Sequence, residues 1–318
     1  MDQTLDEISR NISSPTNTLN KYAMNAKLSL WLFFLVGIFF NCTRNEAQNV
    51  AVNQIVTESK AVNTTYANRT VNFSRTDGTY TLDQVQADFG NTVGNWDTRN
   101  NTIINNEIRV RIPKNTVAST PKENAPDGVG SICTFDIPKG SEYEMTYKIK
   151  FDNNYKWIRG GKCGLGFRIG KGYTGCVSVD GGDGGSARVT WGNPNKKDNS
   201  GTDNPYFSPY MYHFDKTQDC GDSFGLKSIK LERNKWYTVY MRVKSNTPNN
   251  KDGQIEIKID GVTLINKNDV RWTTVTTDDR LIKRISWETF RGGKEDYWQS
   301  STDDYVYYDD ISWKKLAD

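Results

Sequence analysis

Apolar and polar residues alternate along several short stretches of this chain, which is the pattern of β-strands with one buried face. The clearest is Tyr143–Phe151, where Tyr, Met, Tyr, Ile and Phe alternate with Glu, Thr and Lys. Trp236–Val243 and Gln254–Asp260 are predicted to pair, and the second ends in the turn signal Asp260-Gly261. The other predicted strands are Glu107–Ile112, Ile282–Phe290 and Tyr305–Trp313.

These strands point to an all-β protein. No convincing amphipathic helix follows the N-terminal region, and Gly, Asn, Asp, Thr and Ser are abundant. Many short strands joined by turns of that composition favour packed antiparallel sheets. We therefore predict one domain over residues 80–318, a jelly-roll β-sandwich of antiparallel sheets. Residues 48–79 are polar, rich in Asn and Thr and without periodicity, so they are predicted to form a linker or loosely ordered extension.

Residues 1–47 contain one apolar run, Leu28–Phe40, with Lys27 just before it. The run is shorter than the roughly 20 residues of a membrane span and suits the apolar part of a signal peptide. The polar segment before it is long for a signal peptide, so Met24 is a candidate start of translation. We expect a secreted or extracellular protein, with a signal anchor or a lipoprotein at Cys42 as alternatives. Membrane contact is expected only through this segment, if it is uncleaved.

Charge and cysteine content narrow the possible partners. The formal net charge of +3 is too small to argue for nucleic acid. In a secreted chain the cysteines after Cys42 allow three disulfide pairings, and the residues are Cys133, Cys163, Cys176 and Cys220. No Cys-x-x-Cys pair is present, which argues against a zinc knuckle. Asn-x-Ser/Thr sequons fit an exposed N-terminal region and lie at Asn63, Asn68, Asn72 and Asn100.

The densest candidate chemistry lies between Lys156 and Asp215. Glycine pairs directly precede Lys162 and Ser186, where bare backbone allows a polymer to approach closely. Arg188 follows two residues after Ser186, so both side chains project from the same face of a strand. Fixed cations and a hydroxyl among glycines suit an acidic sugar polymer. The alternative is that these charges form only a solvated surface.

Paired phenols extend this constellation. Tyr210 and Tyr212 are two residues apart, so on a strand both rings project from one face. If this strand neighbours the strand of Arg188, the guanidinium and the two phenols converge on one patch. The alternative is that the two tyrosines only pack against a neighbouring strand. His213 is the only histidine and is expected on the opposite face in a structural role. A Ser-His-Asp hydrolase or a multi-histidine metal site would therefore be a strained interpretation.

The chain resembles polysaccharide lyase family 14, the alginate and glucuronan lyases, and more distantly family 20. The resemblance covers roughly Leu82 to Trp313. The motifs that carry it are Arg159-Gly-Gly-Lys162, Ser186-Ala-Arg188 with Trp191 after it, Tyr210-Met-Tyr212, Arg109-Val-Arg-Ile-Pro-Lys114, Phe290-Arg-Gly-Gly293 and Tyr308-Asp-Asp-Ile311. Two features depart from the family. Cys163–Gly166 replaces Leu-Pro-Gly-Leu, and the stretch between Arg188 and Tyr210 is longer, which leaves Tyr206 as an alternative to Tyr210.

The resemblance implies β-elimination of a 4-linked acidic polysaccharide, alginate or glucuronan, with no cofactor and no metal. It assigns catalysis to Lys162, Ser186, Arg188, Tyr210 and Tyr212, and substrate binding to Arg159 and Trp191. Lys162 and Arg188 are expected to hold the uronate carboxylate, with Ser186 as an orienting donor. The tyrosines are expected to supply base and acid, since adjacent positive charge lowers the pKa of a phenol.

Two rival functions use the same sheets. A carbohydrate-binding module or lectin would use tryptophans as sugar platforms, with Trp191, Trp287 and Trp298 as candidates. A glycoside hydrolase would need two facing carboxylates, for which Glu288 with Asp296 or Asp304 are candidates. Only the lyase gives an unsaturated, ultraviolet-absorbing product.

Overall fold

The computed structural model describes residues 64–94, 96–194, 203–226 and 229–318, all within one compact unit, Ser59–Asp318. The predicted signal region at residues 1–47 lies outside the described residues, as do residues 48–63 of the predicted linker. Among the residues that are described, no helix has the length and apolar character needed to cross a membrane.

Strands dominate the described residues. In chain order they are β1 Asn68–Val71, β2 Gly78–Thr79, β3 Thr92–Val93, β4 Asn101–Ile104, β5 Glu107–Ile112, β6 Gly130–Gly140, β7 Glu142–Phe151, β8 Gly160–Gly170, β9 Gly184–Gly192, β10 Tyr206–Tyr212, β11 Ile229–Lys230, β12 Trp236–Lys244, β13 Gly253–Ile259, β14 Val262–Val270, β15 Ile282–Arg291 and β16 Asp304–Ala317. The helical elements are α1 Leu82–Phe89 and 3₁₀ turns at Thr64–Ala67, Lys122–Asn124, Asp278–Arg280 and Asp296–Trp298.

Every strand predicted from alternation is present. Along β7 the buried and partly exposed positions alternate without interruption, so its apolar face packs in the core. β12 pairs with β13 as predicted. Asp260 (φ 50°) and Gly261 (φ 79°) both adopt the left-handed conformation that a tight hairpin requires, and they connect β13 to β14.

The described strands form two antiparallel sheets. Sheet A has the order β14-β13-β12-β7-β16-β5-β4-β2, with β1 also paired to β16. Sheet B has the order β11-β10-β9-β8-β15-β6-β3. The sheets pack face to face as a jelly-roll β-sandwich, which confirms the predicted fold class. Because side chains alternate across each strand, half of those on β8, β9, β10 and β15 lie on the outer face of sheet B.

Aromatic residues from both sheets fill the core between them. Trp287 of β15 packs edge-on against Tyr308 of β16, with ring centroids 5.4 Å apart. The hydroxyl of Tyr308 shares a 2.7 Å hydrogen bond with Thr289 of β15. Arg291 and Asp304, respectively 0% and 1% exposed, form an ion pair between the same two strands. These contacts fix β15 of sheet B against β16 of sheet A.

The N-terminal part of the domain differs from the sequence prediction. β1 pairs with β16 and Phe73 is fully buried, so the folded domain begins before residue 80 and the predicted linker does not reach residue 79. Helix α1 was not predicted; Thr81 caps it and Phe89 packs into the core. The sequon asparagine Asn100 is buried and its amide donates to the Asp127 carbonyl, so it is not an exposed glycosylation site.

Candidate active site

The predicted catalytic residues meet on the outer face of sheet B, where β8, β9 and β10 lie side by side. On β9 and β10, Arg188 lies opposite Tyr210 and Ser186 lies opposite Tyr212. Lys162 projects from β8, the neighbour of β9 on its other side. Antiparallel register therefore brings three distant chain segments onto one surface. We call the surface that Lys162, Arg188 and Tyr210 share the trench.

Lys162 is half-buried above the aromatic ring of Tyr210. Its Nζ lies 3.8 Å from that ring centroid and 5.9 Å from the ring centroid of Phe290. Burial lowers the pKa of Lys162 to about 7, and the charge of Arg188 adds to this while that of Glu288 opposes it. Near neutral pH a large share of Lys162 is therefore the free amine, which can accept a proton.

A buried group of three charges lies beside Lys162. Glu288 accepts a 2.6 Å hydrogen bond from Nη1 of Arg188 and a 2.8 Å hydrogen bond from Nη2 of Arg168. Burial raises the pKa of Glu288, but the two arginines outweigh it and the pKa lies below its ordinary value. The sequence prediction did not identify this arrangement. Glu288 therefore stays ionised and bound, while Nε and Nη2 of Arg188 have no hydrogen-bond partner among the described residues.

The two tyrosines occupy different depths. Tyr210 is half-buried, with its ring centroid 5.2 Å from Cζ of Arg188, whereas Tyr212 is fully buried, with its ring centroid 5.9 Å from that of Tyr210. The Tyr212 hydroxyl accepts a 2.7 Å hydrogen bond from the backbone N–H of Cys176. Burial and the neighbouring Tyr210 raise the pKa of Tyr212 to about 12. Tyr210 is thus the phenol that a substrate can contact, and Tyr212 is placed to orient it.

The alternative tyrosine, Tyr206, lies at the other end of β10, opposite Gly192. Lys162 and Arg188 both lie over the ring of Tyr210, the tyrosine first matched to the family's motif.

The glycine pairs have a structural explanation. A Cβ on Gly161 would collide with the backbone carbonyl of Phe290 on β15. A Cβ on Gly185 would approach the carbonyl of Tyr212 on β10 to 2.5 Å. The glycines therefore let neighbouring backbones approach each other, and their predicted role as open backbone for a polymer is not supported.

Two predicted site residues do not contact the trench surface. Ser186 is 0% exposed and its hydroxyl donates to the carbonyl of Tyr173, so it braces a loop. Trp191 is 2% exposed and packs edge-on against Tyr155 and Trp157 in the core. This core position does not fit the predicted role in substrate binding, because a side chain three positions from Arg188 on a strand points to the opposite face.

Two other predictions concern residues at the margins. Arg159 lies just before β8, stacked on Tyr297 and Trp298. The His213 ring stacks on Phe224, and its Nε2 lies 3.2 Å from Oδ2 of Asp222. This packed position fits the structural role expected for His213.

The carboxylates proposed for a hydrolase are not arranged for that reaction. Glu288 is held between two arginines, and Asp304 is paired with Arg291 in the core. Asp296 is exposed in a turn, where it accepts a hydrogen bond from Gln299. Among these candidates, no pair faces a common cleft as glycoside hydrolysis requires.

Comparison with known families agrees with this geometry. Residues 98–311 match the family model Polysaccharide lyase 14. The chain belongs to polysaccharide lyase family 14. This confirms the predicted family. Its curated relative Exolysin, from Paramecium bursaria Chlorella virus 1, is 29% identical over 168 residues, 47% of this chain and 25% of Exolysin. The chain thus spans about a quarter of the length of that relative.

Solved structures of other lyases share the fold of this family 14 member. Alginate lyase Aly36B is 35% identical, with a TM-score of 0.70, 79% coverage of this chain and 98% of its own. A variant of Aly36B, lacking a lysine and a tyrosine, was solved with alginate tetrasaccharide and gives a TM-score of 0.71 at 34% identity and the same coverage. The alginate lyase of Aplysia kurodai, at 16% identity and a TM-score of 0.61, covers 77% of this chain and 98% of its own and shows the fold alone.

Proposed function

We propose that this lyase cleaves alginate by β-elimination in the trench. The observation that carries the proposal is Lys162, whose amine has a pKa of about 7 and lies on the ring of Tyr210. The Aly36B variant solved with alginate tetrasaccharide lacks a lysine and a tyrosine, the two residue types that stand together here. The residue roles below are part of the proposal.

The reaction removes the C5 proton of a uronate and expels the oxygen at C4 of the same sugar. Neutral Lys162 takes the C5 proton and becomes an ammonium, and the electron pair of that bond forms the C4–C5 double bond. The C4–O bond breaks, and the Tyr210 hydroxyl donates its proton to the leaving oxygen. This order differs from the tyrosine base expected from the sequence. A lysine with a lowered pKa suits the base, which leaves the Tyr210 phenol to serve as the acid.

Positive charge beneath the trench stabilises the transition state. Negative charge builds on the uronate carboxylate as the C5 proton leaves, so a fixed cation nearby lowers the barrier. Arg188 supplies that cation through its position under the rings of Tyr210 and Tyr212. Glu288 accepts a hydrogen bond only from Nη1 of Arg188, so Nε and Nη2 have no hydrogen-bond partner among the described residues.

Product formation tests the proposal directly. Alginate incubated with the protein should gain ultraviolet absorbance as unsaturated ends appear, and Lys162→Ala should abolish the gain. Glucuronan serves as the parallel substrate. Saturated ends would identify a hydrolase, and an intact polymer bound by the wild type would identify a lectin. Two of the three tryptophans proposed as lectin platforms, Trp191 and Trp287, are buried in the core, which favours the lyase.

We also propose that the protein acts outside the reducing cytosol. Cys176 and Cys220 form a disulfide, one of the bridges that secretion would permit. Cys133 and Cys163 are free and buried. Comparing the cell fraction with the medium for the full chain, with and without Leu28–Phe40, tests the location.

A further inference from the structure

Beyond Lys162, at the start of β8, a second cation is held between aromatic rings. Cζ of Arg159 lies 5.0 Å from the ring centroid of Tyr297 and 5.0 Å from that of Trp298. Two stacking contacts hold the planar guanidinium in a restricted orientation. Glu295 and Asp296 directly precede the rings, yet within the described residues no carboxylate pairs with Arg159.

This cluster is fastened to the strand that carries Lys162. The N–H of Gly292 donates a 2.9 Å hydrogen bond to the carbonyl of Gly160, joining the end of β15 to the start of β8. Gly160 precedes Lys162 by two residues, about 7 Å along a strand. The backbone of Arg159 therefore lies roughly 10 Å from that of the reacting lysine, about the length of two sugar units, and its contact with Trp298 directs the guanidinium to the side of the sheet on which Gly292 lies.

The glycine turn after β15 determines where the indole lies. Gly293 has φ 77°, and a Cβ there would collide with the ring of Trp298. Gly292 meets the same ring at ordinary van der Waals distance, 3.5 Å from the position of a Cβ. Two residues before it, Phe290 contacts Lys162 on the outer face of sheet B, and Gly292 shares that face by strand alternation. The indole thus extends the trench floor.

We propose that Arg159, Tyr297 and Trp298 form a subsite for a uronate neighbouring the cleaved bond. The guanidinium binds the carboxylate of that sugar through paired N–H donors, and the indole packs against its ring. A neutral sugar would lose the first contact, so the subsite selects acidic residues. The inference rests on the proposed function, because it takes the trench to hold an acidic polysaccharide.

Calorimetry with an alginate tetrasaccharide tests the subsite on an inactive parent, Tyr210→Phe, which keeps all the cations. Adding Arg159→Leu should weaken binding about 10- to 100-fold, the range for a lost charge-assisted hydrogen bond. Trp298→Ala should also weaken binding by about tenfold. Arg109→Leu is the matched control, because Arg109 also stacks on a tyrosine, Tyr305, but projects from a strand of sheet A. Its binding should equal that of the parent.

The outcomes separate the subsite from the proposed function. If the wild type forms unsaturated product and Arg159→Leu binds within twofold of its parent, the subsite is refuted and the lyase assignment stands. If Arg109→Leu weakens binding as much as Arg159→Leu, the effect is general electrostatics and the subsite is again refuted. If the wild type forms no unsaturated product, the proposed function itself fails.

A separate observation concerns the disulfide. Cys176 donates its backbone N–H to the Tyr212 hydroxyl, and its own φ of 60° is one that residues other than glycine rarely adopt. Gly221, next to Cys220, lies against Tyr210 so closely that a Cβ would come within 2.5 Å of the ring. Each half of the bridge thus adjoins a contact to one of the two tyrosines.

We infer that the Cys176–Cys220 disulfide positions the tyrosine pair for the proposed reaction. The bridge joins the loop before β9 to the loop after β10, and the second loop is also bonded to β10 through Met211 and Asp222. Reduction would leave the sheet intact while freeing the Cys176 amide and Gly221 from the phenols. The disulfide therefore acts on the acid through Tyr212 and Tyr210, without touching substrate.

Steady-state kinetics of the full chain test this inference. Reductant should lower kcat at least about tenfold with KM little changed, as for loss of an interaction made in the transition state. The double variant Cys176→Ser/Cys220→Ser should match the reduced wild type and be insensitive to reductant. Gly221→Ala keeps the bridge but displaces the Tyr210 ring, so it should lower kcat as well. Wild-type kcat in reduced, still folded protein, or in Gly221→Ala, would overturn the inference.

Discussion

Replacing Lys162 with arginine separates the two roles that a lysine can have in this reaction. With a pKa of about 7, half of Lys162 is the free amine at that pH. An ordinary lysine, with a pKa near 10.4, would be neutral in only roughly one molecule in 2,500 there. Burial in the trench thus increases the population of base about a thousandfold. Arginine keeps the positive charge but stays protonated, so it cannot act as the base.

We expect Lys162→Arg to lose about 10²- to 10⁴-fold in kcat/KM, the usual contribution of a general base. In the wild type, kcat/KM should rise with pH and level off above about pH 7, because the free enzyme needs the neutral amine. The assay is the initial rate of ultraviolet absorbance on alginate across a pH series. Lys230→Arg, at an exposed position of β11, is the matched control and should keep wild-type activity. If Lys162→Arg stays within tenfold of the wild type, or kcat/KM falls through that pH, Lys162 only neutralises the carboxylate and the base assignment is refuted.

Three further results are expected. Tyr210→Phe should abolish product formation, whereas Tyr212→Phe should keep a measurable kcat. Tyr212→Phe should also lower the free energy of unfolding by about 1 kcal/mol, since the Cys176 amide loses its acceptor. Equal losses of kcat in the two variants would contradict the division of roles. Glu288→Gln should destabilise the fold by about 3 kcal/mol or more, because two buried arginines lose their partner. It should also shift the rise of kcat/KM to lower pH, because Glu288 raises the pKa of Lys162. A pH profile that does not move would contradict this. Lys162→Met should abolish activity but raise the melting temperature at pH 7. Between pH 7 and about 10 the unfolded wild type binds more protons than the folded protein, so the stability of the wild type is reduced at pH 7 and grows with pH, and methionine removes this cost. An unchanged melting temperature would show that the buried ammonium costs little.

Alternation predicted six of the sixteen described strands, β5, β7, β12, β13, β15 and β16, because apolar residues mark the face that packs in the core. It did not predict β8 or β9, whose residues are buried at nearly every position. Helix α1 lacks such a signal, since it has eight residues and only part of one face is buried. A capping-box signal was present in Thr81 and Gln84, three residues apart, and could have identified its start. The early strand β1 was missed because its residues are mostly polar and its pairing partner, β16, lies at the other end of the chain.

In the site, spacing predicted which side chains share a face but not how deep each lies. Lys162, Arg188 and Tyr210 do come together, as the motifs indicated. The same period-two rule, applied from Arg188 to Trp191, would have placed that tryptophan in the core. The bond from Glu288 to Arg188 depends on the register of β15 with β8 and of β8 with β9, which no local pattern encodes.

Within the described residues, two cysteines are unpaired, and neither is accessible to thiol reagents in the folded protein. Cys133 and Cys163 are 2% and 1% exposed, and burial raises the pKa of Cys133 to about 11 and that of Cys163 well above its ordinary value. Thiolate is the reactive form, so an alkylating probe reaches Cys133 and Cys163 only when the sandwich opens. Modification of Cys133 and Cys163 in the oxidised protein would therefore report the rate at which the core opens, without an introduced label.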